Sequence, residues 1–297
     1  MFVNSMHNLQ FPLKVHCWGG LGSQLFGVLL YLELKAKLPR RRITLCLHEG
    51  GVTLRNSEIG GIFKDITIEE IRDFSKSSDI AQVEQGYSSA GFRSRVKQLL
   101  VKFKVVLTLD DSIDFKSIKP WTLSIRGHYS YRGIHKESYG LLLSSLSKDG
   151  SNRFHNHDNQ RIRLGVHYRL GDLLELSSKK PMELSRLIGV IDLQLRKYNF
   201  ESLTVFSDSP DKAVTLIKEQ IPHLSVDNED LPTWETIGAL SQSETFVGTF
   251  SKISLWVVIF RYFSAESLSS FMPIESEQNL KQLLGEDLDA SKLHFYR

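Results

Sequence analysis

The sequence predicts an α/β protein built from two halves, and three observations carry that prediction. Near the start, Leu13 to Trp18, Gly19-Gly20-Leu21-Gly22-Ser23, Gln24 to Leu38 and Ile43 to His48 read in turn as strand, glycine loop, helix and strand. Beyond Arg161, short apolar runs alternate with stretches of helical spacing. Between these regions, Lys148 to Arg161 is polar and turn-rich and contains no large aliphatic residue, as a linker does. Alternating strands and helices build parallel sheets joined by right-handed crossovers.

The elements follow in chain order. In the first helix Leu25, Val28, Leu29, Leu32 and Ala36 share one face, and Pro39 ends it. The stretch from Gly50 to Lys119 is less regular and predicts a helix over Glu69 to Phe74 and a strand over Val105 to Leu109. Trp121 to Ile125 alternates as a strand and leads into Arg126-Gly127-His128-Tyr129-Ser130-Tyr131. The second half predicts strands over Arg163 to Tyr168, Ser202 to Phe206 and Thr245 to Val247. Its helices are expected over Pro181 to Lys197, Ser209 to Gln220, Thr233 to Ser241 and Ser251 to Phe263. Ser209 and Ser251 stand as N-caps, and Pro210 occupies a first helical position. The resulting domains are 1–152 and 153–297, the second Rossmann-like in rhythm. It lacks the G-x-G-x-x-G fingerprint, so no nicotinamide or flavin dinucleotide is predicted.

Composition narrows the class. The chain has 297 residues, 41% hydrophobic and 24% charged, which describes a globular protein and suggests two domains. A formal charge of +3 gives no case for nucleic acid. Cys17 and Cys46 each sit in an apolar run, so buried free thiols and a cytoplasmic location are expected rather than a disulfide framework. No apolar stretch is long enough to span a bilayer, and Met1 to Pro12 lacks the pattern of a signal peptide. Basic residues gather at Pro39-Arg40-Arg41-Arg42 and at Arg93, Arg95, Lys97, Lys102 and Lys104. They read either as solvated faces or as a peripheral contact with a membrane surface or an anionic acceptor. His155 and His157 have no third ligand at a useful spacing, so no metal is expected there.

Four segments carry residues suited to chemistry. His167-Tyr168-Arg169-Leu170-Gly171-Asp172 closes a strand, where clefts of α/β proteins form. Arg169 offers a rigid fork of donors that fits a phosphate, and Asp172 can brace it or take a proton. Gly19 to Gln24 lies between a strand and a helix; it is either an anion site on helix N–H groups or a tight turn that needs positive φ. Thr249-Phe250-Ser251 opens another helix and can bind phosphate oxygens or only cap it, and Ser207-Asp208-Ser209-Pro210 presents a carboxylate that can meet a guanine edge or cap. Gly127-His128-Tyr129-Ser130-Tyr131 combines aromatic rings with polar tips, as a sugar-facing surface requires, or is core.

Taken in order, these segments resemble the bacterial α-1,2-fucosyltransferase family and, more distantly, the α-1,6- and protein O-fucosyltransferases. Gly19 to Gln24 is similar to the family's G-G-L-G-N-Q loop and Gly127 to Tyr131 to its G-Y-(W/F)-Q-S segment. His167 to Asp172 resembles H-x-R-R-x-D, Phe206-Ser207-Asp208 resembles F-S-D-D, and Thr249-Phe250-Ser251 with Trp256 resembles S-T-F-S-W-W. The resemblance implies a GT-B-like fold, two Rossmann-like domains facing a central cleft, and inverting transfer of L-fucose from GDP-β-L-fucose to a glycan hydroxyl. Donor binding is thereby assigned to Gly20, Gly22, Ser23, His167, Arg169, Asp208, Thr249, Phe250 and Ser251, and acceptor binding to His128, Tyr129 and Tyr131. Arg169 and Asp172 become the catalytic pair, with no metal and no cofactor beyond the nucleotide sugar. The implied acceptor is an oligosaccharide or lipid-linked glycan of a surface polysaccharide. Leu170, Ser23 and Ser209 depart from the family's Arg, Asn and Asp. Two other readings therefore stand beside it: the same fold with a different donor, and an inactive glycan-binding descendant.

Overall fold

The computed structural model describes residues 11–49, 57–72, 96, 99–108, 115–127, 129–130, 132–155, 162–170, 182–264 and 268–297. The chain divides into two compact units, Met1–Ser147 and Lys148–Arg297.

In the first unit β1 (Leu13–Trp18) leads through Gly19 and Gly20 into α1 (Leu21–Lys37), which returns the chain to β2 (Ile43–His48). The helix starts three residues earlier than its periodicity suggested, so Gly22 and Ser23 are helical. β3 (Ile68–Ile71), β4 (Val106–Thr108) and β5 (Ser124–Arg126) complete a parallel sheet of order β3-β2-β1-β5-β4. α2 (Lys136–Ser144) packs on α1. Two expectations fail here. Residues 68–71 form an edge strand rather than a helix, because Thr67 O and Ile71 O accept from Leu45 N and Glu49 N, and the sheet edge overrides the helical preference of Glu69-Glu70. Trp121 and Thr122 belong to the turn before β5 and not to the strand.

The second unit opens with α3 (Lys148–His155), where a linker was expected. Its single large apolar residue, Phe154, is buried in an aromatic cluster with Trp234 and Phe260, and Gly150 O accepts from Trp234 Nε1 at 2.9 Å. A Cβ at Gly238 would lie 2.3 Å from Phe154 O, so glycine permits the close approach. The helix thus belongs to the second unit, together with residues 148–152 that the sequence assigned to the first. There follow β6 (Leu164–His167), α4 (Leu184–Tyr198), β7 (Ser202–Phe206), α5 (Pro210–Gln220), β8 (Ser225–Asn228), α6 (Thr233–Gln242), β9 (Thr245–Gly248) and α7 (Lys252–Phe263). β10 (Ser269–Pro273), α8 (Glu277–Leu284) and β11 (Leu293–Tyr296) close the unit. Its strands pair in parallel in the order β11-β10-β9-β6-β7-β8, a Rossmann-like sheet.

Arg261 in the last turn of α7 is 1% exposed. It donates to Leu240 O, Ser243 O and Glu244 O where α6 ends and β9 begins, and to Ser269 O and Ser270 Oγ at the start of β10. One guanidinium so closes the C-terminus of α6 and fixes two strand starts.

Candidate functional site

In the second sheet the chain runs outward from β6 in one direction through β7 and β8, then returns to the other side through β9. The carboxyl ends of β6 and β9 therefore flank the point where strand order reverses, the place where α/β sheets leave a crevice. Three strand ends are laced together there. Arg169 N donates to Thr249 Oγ1 at 3.2 Å, Thr249 N to His167 O at 3.1 Å, and Leu170 N to Asp208 Oδ1 at 2.8 Å. Asp208 thereby holds the extension of β6. Ser209 is the N-cap position, but its hydroxyl makes no capping bond.

Side chains alternate along that extension. Tyr168 and Leu170 are each 2% exposed and join the hydrophobic cluster of Leu187, Val190 and Ile191 on α4, whereas Arg169 lies between them at intermediate exposure. The residue in the family's second Arg position is thus a core residue in this chain, and leucine suits it. Phe250, 48% exposed, stands between Thr249 and Ser251, which are both buried. An exposed ring between two anchored neighbours offers a stacking face.

His167 lies beneath this loop rather than at its surface. Its Nδ1 is 2.8 Å from Ser254 Oγ and 3.3 Å from Ser251 Oγ, and Ser251 Oγ accepts from Ser254 N as the N-cap of α7. Burial pushes the imidazole down to about 4; Asp208 opposes the shift and Arg169 adds to it. A neutral ring therefore aligns the first turn of α7, whose N-terminal N–H groups and dipole favour an anion. His167 thus has a positioning role through Nδ1, which is engaged inside the fold. Asp172 lies outside the described residues.

The first unit answers the glycine-loop question differently. Gly19 has φ +94°, and a Cβ there would meet Ser23 Oγ at 2.9 Å, so the turn needs glycine. Gln24 Nε2 donates to Gly19 O, Gln24 Oε1 accepts from Glu58 N, and Leu21 N donates to Glu58 Oε1 at 3.2 Å. A carboxylate of the protein already sits at the N-terminus of α1. The segment forms a tight turn, in which Gly22 and Ser23, expected to bind the donor, are buried, while Gly20 is half-buried. The expectation for Tyr129 is corrected. Its ring is 1% exposed, and its hydroxyl reaches His16 O at 2.8 Å and Ile125 O at 3.0 Å, so it is a core residue and not an acceptor contact. His128 and Tyr131 lie outside the described residues.

A group that sequence reasoning missed stands at the carboxyl end of this sheet. Trp18 and His48 are in-register neighbours on β1 and β2, with ring centroids 4.5 Å apart and stacked. His16 Nδ1 lies 2.8 Å from His48 Nε2, and Arg126 is the register partner of His16 on β5. Burial, followed by Arg126, His48 and Lys14, pushes His16 down to about 3. The available signal was that Trp18 and His48 each close a strand of one βαβ unit, which sets strand ends side by side. Cys17 and Cys46 are buried free thiols, and burial pushes Cys46 up to about 12. Among the described residues no three His, Cys, Asp or Glu side chains group as a metal site would, and no helix is long and apolar enough to cross a membrane.

The fold and these strand ends define a class: an α/β protein of two Rossmann-like units, with the GT-B-like fold that the sequence led us to expect. The solved structures it is similar to include POFUT1 in complex with GDP-fucose, with a TM-score of 0.50 over 89% of this chain and 98% of that chain at 12% identity. POFUT1 in complex with GDP gives 0.50 over the same shares at 13% identity. The E. coli heptosyltransferase WaaC with ADP gives 0.48 over 96% of this chain and 93% of that chain at 10% identity. At such identities the likeness is one of fold. No protein-family profile matches the chain, and no curated protein does.

Proposed function

We propose that the protein is a glycosyltransferase that moves L-fucose from GDP-β-L-fucose to a hydroxyl of a glycan acceptor, by inversion and with an α-1,2 linkage. The observation that carries this reading is the lacing of Arg169 to Thr249 at the β6/β9 reversal, beside the N-terminus of α7. A guanidinium and a row of helix N–H groups then share one diphosphate, the charge of which grows as the sugar departs. Fixed donors aimed at developing charge lower the barrier without reorganising. Phe250 stacks on the base, and Asp208, placed by Leu170 N, accepts from the guanine edge. The acceptor hydroxyl attacks C1 of fucose from the face opposite GDP, and Asp172 takes its proton or braces Arg169. The reading uses no metal, because Arg169 carries the neutralising charge.

The acceptor side falls to the first unit, where Trp18, His48 and Arg126 replace Tyr129 as the sugar-facing group. A lipid-linked surface polysaccharide is the acceptor class. The reading places the protein in the cytoplasm, where thiols such as Cys17 and Cys46 stay reduced. The resemblance of five motifs in family order supports the donor, and the POFUT1 complex with GDP-fucose shares the fold. Thermal unfolding tests it: GDP raises the melting temperature more than UDP at equal concentration, and Arg169→Ala removes the difference. Equal shifts from GDP and UDP in the wild-type chain refute the guanine assignment and favour another donor. Glycan binding with no release of GDP from any donor favours an inactive glycan-binding descendant.

A further inference from the structure

Exposed apolar side chains are concentrated at one place in the first unit. Phe11, Leu99, Phe103, Trp121 and Leu123 are between 44% and 63% exposed. They come from three segments joined at the N-terminal end of the sheet, the end away from Trp18 and His48. Phe11 N donates to Pro120 O, Trp121 Nε1 to Phe103 O, Phe103 N to Leu99 O, and Leu123 N to Val105 O.

Their exposure is built into the fold. Arg41, 3% exposed, donates to Phe11 O at 2.8 Å, Lys119 O at 3.1 Å, Pro120 O at 3.2 Å and Thr122 O. Thr122 Oγ1 donates in turn to Lys104 O and accepts from Lys119 N. One buried guanidinium thus holds the backbone that presents Phe11 and Trp121, so neither ring can turn under into the core. Of the three arginines in the run at 40–42, this one is unavailable to any partner; Arg40 and Arg42 stand exposed on either side. Lys102, Lys104 and Lys119 add positive charge, and residues 11–18, 37–48, 99–108 and 115–127 contain no Asp or Glu.

We propose that this rim docks the protein on an anionic lipid surface. Half-exposed Trp and Phe interleaved with Lys and Arg have the composition of a bilayer interface, where rings sit at headgroup depth and cations meet anionic lipid. The aliphatic Leu99 and Leu123 fit acyl chains and have no use on a nucleic-acid backbone. The proposal is independent of the donor assignment, since the rim lies at the amino end of the first sheet and the diphosphate groups at the carboxyl end of the second.

The test uses the full chain with vesicles of phosphatidylcholine alone, and with about one third of it replaced by phosphatidylglycerol. Co-sedimentation is expected with the anionic vesicles only, accompanied by a blue shift of tryptophan emission that Trp121→Phe removes. Phe103→Asp, and separately the double change Arg40→Glu with Arg42→Glu, should each lower partitioning by about tenfold or more while the melting temperature and its GDP shift stay unchanged. Absence of binding, equal binding to both vesicle types, or variants that bind as wild type would overturn the proposal. So would a concentration-dependent dimer that Phe103→Asp breaks without any vesicle binding, which makes the rim an interface between copies.

Discussion

Replacing Leu170 by Arg restores the family's second arginine in sequence and, by the structure, ruins the fold. Leu170 is 2% exposed within the cluster of Tyr168, Leu187, Val190 and Ile191. Losing that burial costs about 1.5 to 3 kcal/mol. Leaving a guanidinium unpaired among those aliphatic side chains costs several kcal/mol more, so the sum is about 5 kcal/mol or above. A domain holds only about 5 to 15 kcal/mol in total. For a unit of this size each kcal/mol moves the melting temperature by about 2 to 4 °C, so Leu170→Arg should melt at least about 10 °C lower or fail to fold. Leu170→Met conserves volume and should cost under about 1.5 kcal/mol. Thermal unfolding followed by circular dichroism, with and without GDP, reads both variants. A Leu170→Arg protein that melts within about 2 °C of wild type and binds GDP more tightly would refute the argument, because position 170 would then face the ligand.

Two further outcomes follow from buried polar groups in the two units. Thr249→Val removes the acceptor of Arg169 N in a buried position, which should cost about 1 to 3 kcal/mol and shrink the GDP-induced shift, whereas Thr249→Ser keeps both; equal melting of all three would dismiss the brace. His16 and His167 stay neutral in the fold down to about 3 and about 4, while in the unfolded chain such rings take up a proton near 6.5. The unfolded state then binds more protons between these values, so stability is full above 6.5 and is lost as pH falls toward 4, by about 1.4 kcal/mol per pH unit for each ring. Urea midpoints at about pH 7.5 and about pH 5 measure this loss, and an unchanged midpoint contradicts it.

In the second unit β6, β7, β9 and helices α4 to α7 were legible because they are strongly periodic and separated by turn residues, as with Pro210 behind Ser209 and Ser251 ahead of α7, whereas β8, β10, α8 and β11 were not expected. α3 was hidden because its packing uses backbone: Gly150 O, Phe154 O and the missing side chain of Gly238 leave little apolar signal in the sequence. β3 was hidden because Glu69-Glu70 favours a helix until a sheet edge offers hydrogen bonds. At the site, sequence order found the strand ends but not which of them are neighbours; Arg169 and Thr249 meet only because β9 pairs with β6. Burial also reversed roles that residue type suggested. Tyr129 has a polar tip suited to a ligand, yet spends it inside the fold, and His167 does so with its Nδ1. Glu58, far from any motif, meets the first residue of the helix behind the glycine loop.

Helix α7 is pinned at both of its ends. Arg261 ties the last turn to the starts of β9 and β10, and Ser251 with His167 ties the first turn to the end of β6. A helix held this way can neither slide along its axis nor rotate about it without breaking several buried bonds. Its N-terminal N–H groups therefore stand at one fixed position before any ligand arrives. The ordering cost is met on folding rather than on binding, and adaptation to different ligands is left to the exposed ring of Phe250.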